Sequence, residues 1–194
     1  MPSLGAENKF VVFKGPTAGR GAIAPGVFSM TCSDYIECFK DKNISGIIRL
    51  NEPSAYDKTT FTNEGFAHYD LFFDDCTVPP FSIVTAFLHA CEHQGGVAVH
   101  CTTGLGRSAC LVALYILWKG WMKAREAIAW LRLMRPGSII GPQMAFLAAV
   151  EMSGFVGKRL RMDIDKEGAL ALLSPMLVGL VSILIEKEQP SQTP

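Results

Sequence analysis

The sequence has no surplus of either charge: 18 Lys plus Arg balance 18 Asp plus Glu across 194 residues. A chain that grips a nucleic-acid backbone carries excess bases to neutralise phosphates, so no nucleic-acid partner is expected. Charge is also scarce, 19% of residues against 49% apolar, which excludes a disordered charged tail and implies a globular chain that buries a core. The N-terminal MPSLGAENKF has no basic patch with an apolar run behind it, so no secretory leader is read. An intracellular setting, cytoplasmic or nuclear, is expected. No C-x-x-C pair occurs among Cys32, Cys38, Cys76, Cys91, Cys101 and Cys110, and most are read as free, core-packed thiols.

Residues 9–153 also lack repeats, low-complexity tracts and flexible linkers. Through that stretch the pattern alternates between strand-like and helix-like runs, which predicts one α/β domain with a small central sheet flanked by helices. Strands are predicted over 9–14, 44–50, 66–73 and 97–100. Helices are predicted over 34–42, behind Thr31 and Ser33 as caps, and over 81–93, 107–119, 123–135 and 143–153. The helix over 107–119 is apolar nearly all round and is expected at the centre of the fold. Residues 1–8 are read as an extension, 154–168 as a charged connector, and 169–194 as an apolar helix with a short tail. The neutral total hides an asymmetry. Residues 31–80 carry nine acids (Asp34, Glu37, Asp41, Glu52, Asp57, Glu64, Asp70, Asp74 and Asp75) against four bases (Lys40, Lys42, Arg49 and Lys58).

The chemistry is carried by His100-Cys101-Thr102-Thr103-Gly104-Leu105-Gly106-Arg107-Ser108, which reads as strand end, tight loop and helix start. A loop with two glycines before a helix N-terminus turns successive backbone N–H groups inward and forms a nest for a dianion. Thr102, Thr103, Gly104, Leu105, Gly106 and Arg107 are the predicted phosphate binders. Arg107 supplies a planar fork able to hold two phosphoryl oxygens together. At the mouth of this nest, Cys101 is expected to be a thiolate and the nucleophile. Ser108 is placed to donate to the Cys101 sulfur, and His100 to hold the loop through backbone bonds. Loss of an alkoxide leaving group also needs an acid, for which Asp74-Asp75 is read as a loop pair before Pro79-Pro80. The competing reading is ordinary packing of a cysteine at a strand end; the surrounding strand, glycines, Arg-Ser and buried helix favour function.

HCTTGLGRS resembles the signature loop of cysteine-based protein phosphatases. FKGP at 13–16, IIRLN at 47–51, FTNEGFAHYDLFFDD at 61–75, AIAWLRLMRPGSIIGPQ at 127–143 and FL at 146–147 make the chain similar to the cell-division-cycle-fourteen (mitotic-exit) dual-specificity phosphatases. The resemblance covers about residues 9–153. It implies a dual-specificity phosphatase catalytic domain acting on phosphorylated proteins through a phosphocysteine, with no metal or other cofactor. The family's Cys and Arg fall on Cys101 and Arg107, its Ser/Thr after Arg on Ser108, and its acid on Asp75, since F-F-x-D-G matches Phe72-Phe73-Asp74-Asp75-Cys76. Family members place several glutamines after Gly-Pro; only Gln143 stands here, and it is the candidate for positioning the hydrolytic water. The resemblance also implies a preference for phosphoserine followed by proline with a base downstream. Two departures are Thr102-Thr103 where the family has Lys-Ala, and Cys76 where it has Gly. The alternatives are an inositol phospholipid phosphatase, for which the loop lacks the usual lysine, a phosphopeptide-binding pseudophosphatase, and a scaffold with a structural cysteine.

ALALLSPMLVGLVSILI at 169–185 has two readings. Seventeen residues, with Ser174 and Ser182 the only side-chain hydrogen-bonding groups, sit at the lower limit for a bilayer span, which would make the segment a membrane anchor. The seam Leu170, Leu173, Leu177, Leu180 and Leu184 instead predicts docking on the domain or self-association, with Pro175 in a first helical turn.

Overall fold

Short runs of apolar and β-branched residues become the strands of a parallel sheet in the computed structural model, which describes residues 9–154. In chain order the elements are β1 (Lys9–Lys14), β2 (Ala22–Ala24), β3 (Val27–Phe28), α1 (Ser33–Asp41), β4 (Gly46–Arg49), a 3-10 turn (Pro53–Ala55), α2 (Thr59–Thr62), β5 (Ala67–Asp70), α3 (Phe81–His93), β6 (Gly96–Cys101), α4 (Arg107–Trp118), α5 (Ala124–Met134) and α6 (Pro142–Met152). The main sheet has strand order β1-β6-β4-β5, every pair parallel, while β2 and β3 form a separate antiparallel hairpin. Parallel strands need covered faces. Ile48, Val97 and Val99 pack towards α3, α4, α5 and α6, while Ile47 and Ala98, one residue out of phase, pack with Phe13, Phe39, Phe61 and Phe66.

All six residues of β6 and all twelve of α4 are buried, so this strand and helix form the axis of the domain. Each fully buried Leu or aromatic in this layer contributes on the order of 2–3 kcal/mol of transfer free energy. At one end of the sheet the strands finish together. Lys14 lies opposite Cys101 and Arg49 opposite His100, and the pairing runs on through Gly15 N–H to the Cys101 carbonyl (3.0 Å) and Leu50 N–H to the His100 carbonyl (3.0 Å). The connections leaving that end come together around the Cys101 loop, the usual ligand position of an open parallel sheet.

The α/β class and the five long helices agree with the expectations, but several details differ. The strands expected over 44–50 and 66–73 are Gly46–Arg49 and Ala67–Asp70, because beyond these residues the chain turns its carbonyls to other partners: those of Leu50 and Phe73 accept from Arg107. Thr31 and Ser33 do not cap α1. Cys32 at its N-cap is already helical, so the cap is reversed, and the Asp34 carboxylate accepts from the Thr31 N–H (2.7 Å) and hydroxyl (2.8 Å). The hairpin 22–28, the 3-10 turn and α2 carry no periodic pattern long enough to read. Cys38 and Cys76 are exposed rather than core-packed. Among the described residues, no helix is long and apolar enough to cross a membrane. The apolar segment 169–185, with its docking and anchoring readings, lies outside the described residues, as do residues 1–8 and 155–168.

Candidate active site

Cys101 is the last residue of β6, and the loop after it is shaped by a glycine that no other residue can replace. Gly104 has φ +71°, and a Cβ there would stand 2.1 Å from the Phe13 carbonyl oxygen, backbone that cannot yield. The pressed turn aims the Gly104 N–H at the Cys101 sulfur, 3.3 Å away. Gly104→Ala is therefore expected to cost at least ~2 kcal/mol from the left-handed backbone and displaced loop. Thermal unfolding measures that loss, and a melting temperature equal to wild type would contradict the geometry.

The Ser108 hydroxyl lies 3.6 Å from the same sulfur, in the first turn of α4. Burial pushes the Cys101 thiol up, but bonds from the Ser108 backbone and hydroxyl and from the Gly104 N–H, with the Arg107 charge, outweigh it and hold the thiol below its ordinary value. Cys91 and Cys110 have burial without enough compensation and are pushed up. The contrast singles out Cys101.

Arg107 is 1% exposed, and such burial demands partners. Its Nη1 donates to the Leu50 (3.0 Å) and Phe73 (2.8 Å) carbonyls, fixing the guanidinium plane. The other edge faces outward: Nη2 donates to the Thr102 hydroxyl (3.0 Å), and Nε faces the Asp75 carboxylate at 3.1 Å without aligning a hydrogen bond. That edge is the fork a phosphoryl group would take. Asp75, more than half exposed, reaches the fork; Asp74 contributes its carbonyl to the Thr77 hydroxyl. Cys76 follows at φ +59°, in the left-handed region that a glycine would adopt freely.

His100 is fully buried behind the loop. Its Nδ1 lies 3.3 Å from the Cys101 carbonyl, so Nδ1 donates and Nε2 accepts from the Tyr56 hydroxyl at 2.7 Å. Tyr56 in turn accepts from His68 Nε2 (2.9 Å), which leaves His68 Nδ1 without a hydrogen-bond partner among the described residues. Burial lowers His100 to about 3 and His68 to about 4, so this chain stays neutral. Gln143 is also fully buried: its Oε1 accepts from the Ile140 N–H (3.2 Å) and its Nε2 donates to the Thr77 carbonyl (3.2 Å). It thus ties the start of α6 to the Asp75 loop, and it lies beside Gly106.

Cys101, Thr102, Gly104, Arg107, Ser108 and Asp75 are brought together around one sulfur and one guanidinium. Leu105 contributes its carbonyl to the Ile139 N–H, and Gly106 caps α4. The Thr103 carbonyl accepts from Arg135 Nη2 (3.0 Å), and Arg135 Nε donates to the Gly104 carbonyl (2.7 Å). Arg135, which clamps the loop, and Tyr56, which fixes the His100 tautomer, were not read from sequence. A base directly before Pro136-Gly137 is the only signal for the first; Tyr56 offers none. Among the described residues, no three His, Cys, Asp or Glu side chains converge as a metal site.

The sequence pattern described as "Dual specificity phosphatase, catalytic domain" matches residues 28–152. The chain is 45% identical over 147 residues to dual specificity protein phosphatase CDC14B of Mus musculus, covering 75% of this chain and 30% of that protein. It is 42% identical over 150 residues to CDC14A of Homo sapiens (77% and 25%) and 39% over 145 residues to the tyrosine-protein phosphatase CDC14 homolog of Schizosaccharomyces pombe (72% and 27%). It spans under a third of each. Among solved structures, kinase associated phosphatase with a serine at its catalytic cysteine superposes with a TM-score of 0.59 at 17% identity, over 72% of this chain and 84% of that one. PTPMT1 in complex with PI(5)P gives 0.55 at 23% identity, over 62% and 85%.

Proposed function

Because the chain belongs to the dual specificity phosphatase family, we propose that it is a protein phosphatase that hydrolyses phosphoserine, phosphothreonine and phosphotyrosine through a phosphocysteine. The observation that carries this reading is the Cys101 sulfur, held below the ordinary thiol pKa and within 3.3 Å of the Gly104 N–H, in a loop closed by the outward edge of Arg107. In the first step the Cys101 thiolate forms a bond to phosphorus. The bond from phosphorus to the leaving oxygen breaks as Asp75 gives that oxygen a proton. In the second, water attacks phosphorus, Asp75 takes its proton, and the S–P bond breaks to release phosphate and thiolate. Arg107 and the loop N–H groups hold the equatorial oxygens throughout. The phosphoryl oxygens replace Asp75 at the Arg107 fork, which frees the carboxyl for the leaving oxygen. Gln143, anchored to the acid loop, orients the attacking water.

Protein substrates are favoured over inositol phospholipids because Thr102, Thr103 and Leu105 bring no cation to the loop, where extra lipid phosphates would need one. Part of the acidic excess that would attract a downstream base on the peptide is already neutralised within the domain. Of the nine acids in 31–80, Asp34, Glu64, Asp70 and Asp75 already pair with Arg20, Lys40, Arg49 and Arg107. Phosphate release from an aryl phosphate by the wild-type chain tests the proposal as a whole. Asp75→Ala is expected to slow phosphoserine peptides about 10²–10⁴-fold and aryl phosphates much less, because phenolate leaves without a proton more readily than alkoxide. Asp74→Ala should stay within a few-fold of wild type. The opposite ranking in steady-state rates would transfer the acid to Asp74.

A further inference from the structure

Helix α5 presents large apolar side chains on two of its sides. Ala124, Ala127, Ile128 and Leu131 are buried and pack into the helical layer. Trp130, Leu133 and Met134, at i, i+3 and i+4, share a second face and are 48%, 79% and 67% exposed. A surface helix ordinarily turns polar groups to water on the side away from its core, so this face is out of pattern. Three large apolar side chains left side by side in water mark a place where something docks.

The point at which the chain leaves the domain identifies the occupant. Helix α6 ends at Met152 beside the first turn of α5, where the Ala124 N–H donates to the Glu151 carboxylate (2.9 Å). From there α5 runs only about 15 Å to Met134. Fourteen residues (155–168) separate Gly154 from the apolar run 169–185, and fully extended they reach roughly 45 Å, so the run can cover the whole face. Its seam of Leu170, Leu173, Leu177, Leu180 and Leu184 repeats every three or four residues, the spacing of Trp130, Leu133 and Met134, and neither surface carries a charge. The exposed β2–β3 hairpin is the poorer seat. The chain beyond it enters the layer of Phe13, Cys32 and Phe39, on the opposite face of the sheet from Leu147 and Val150 of α6. Attachment also holds the run at an effective concentration of about millimolar, above that of a second copy in dilute solution.

We propose that residues 169–185 dock along the α5 face of Trp130, Leu133 and Met134, so that the chain covers its own exposed helix. This assigns the apolar run to intramolecular packing rather than to a bilayer. It stands independently of the phosphatase reading above.

Thermal unfolding of the full chain is compared with that of Leu133→Gln/Met134→Gln, of Leu177→Gln/Leu180→Gln, and of all four substitutions together. Glutamine is a good helix former, so on a face open to water the α5 pair would leave the melting temperature within about 1 °C of wild type. Docking instead predicts a fall of about 5 °C or more for either pair, because covered apolar side chains become polar ones. The four substitutions together should fall no further than the larger of the two pairs, since both remove one contact. An unchanged melting temperature in the α5 pair, or losses that add, overturns the proposal. Leu133→Ala/Met134→Ala controls for any disturbance that a polar side chain brings to α5. It should lower the melting temperature of the wild-type chain and leave that of Leu177→Gln/Leu180→Gln unchanged; an equal fall in both overturns the proposal. Sedimentation and flotation with phosphatidylcholine vesicles read the rival occupants. The wild type should be monomeric at micromolar concentration and should not float. A dimer dispersed by either pair would give the face to a second copy, and flotation abolished by Leu177→Gln/Leu180→Gln would give the run to a membrane. Either result overturns the proposal.

Discussion

Cys101→Ser is expected to lower aryl phosphate turnover by about 10⁴-fold or more, to the level of solution hydrolysis. A serine hydroxyl in the same place has no adjacent base: His100 is turned away, its two nitrogens committed to the Cys101 carbonyl and Tyr56. Phosphate binding should survive, because the Gly104 N–H and the Arg107 edge do not depend on sulfur, and inorganic phosphate titrated into the variant measures this. Retention of a tenth of wild-type turnover would remove Cys101 from the nucleophile's role. The same thiol predicts a pH dependence. With its pKa lowered in the fold, the reactive thiolate persists as pH falls below the ordinary thiol value of about 8.5 and is lost only below the depressed one. Iodoacetamide inactivation should therefore inflect below 8.5 in the wild type, and Ser108→Ala should move the inflection upward. An unshifted inflection would mean that the Ser108 hydroxyl does not act on the sulfur, since the variant keeps the Ser108 backbone bond.

The parts of this site legible in the sequence are those whose chemistry is local in the chain. Cys101, Gly104, Gly106, Arg107 and Ser108 lie within one strand, loop and helix start, so spacing alone predicts that they share a pocket. Asp75 is close in space but not in sequence, and its ion pair to Arg107 shows only in the fold. What could not be read is the support from elsewhere. Arg135, at the end of α5, reaches two carbonyls of a loop some thirty residues earlier, and the Tyr56–His100 bond spans 44 residues. Such contacts are set by how layers stack, and no periodicity encodes them. The strand ends were misread for a related reason. Apolar character continues past Arg49 and Asp70, but there the Leu50 and Phe73 carbonyls turn out of the ladder to accept from Arg107.

Arg107→Lys is the second large effect, expected at about 10³-fold or more in kcat/KM although the charge is kept. Lysine is a point charge with three donors on a flexible stem. It cannot keep the Leu50 and Phe73 carbonyls on one side while presenting a planar edge to phosphate on the other. Two buried carbonyls would lose a donor, at ~1–3 kcal/mol each, so part of the effect is structural and must be separated from the catalytic part. Iodoacetamide makes that separation possible. A positive charge near Cys101 survives in the lysine variant and the Ser108 and Gly104 bonds to sulfur are untouched, so the thiolate inflection should move little in a correctly folded protein while turnover collapses. If turnover and inflection both stayed near wild type, charge alone would suffice and the two-oxygen grip assigned to Arg107 would be wrong. If the inflection rose to that of an ordinary thiol, the substitution would have disturbed the loop itself, and the guanidinium's role would be to shape the nest as well as to bind the phosphoryl group.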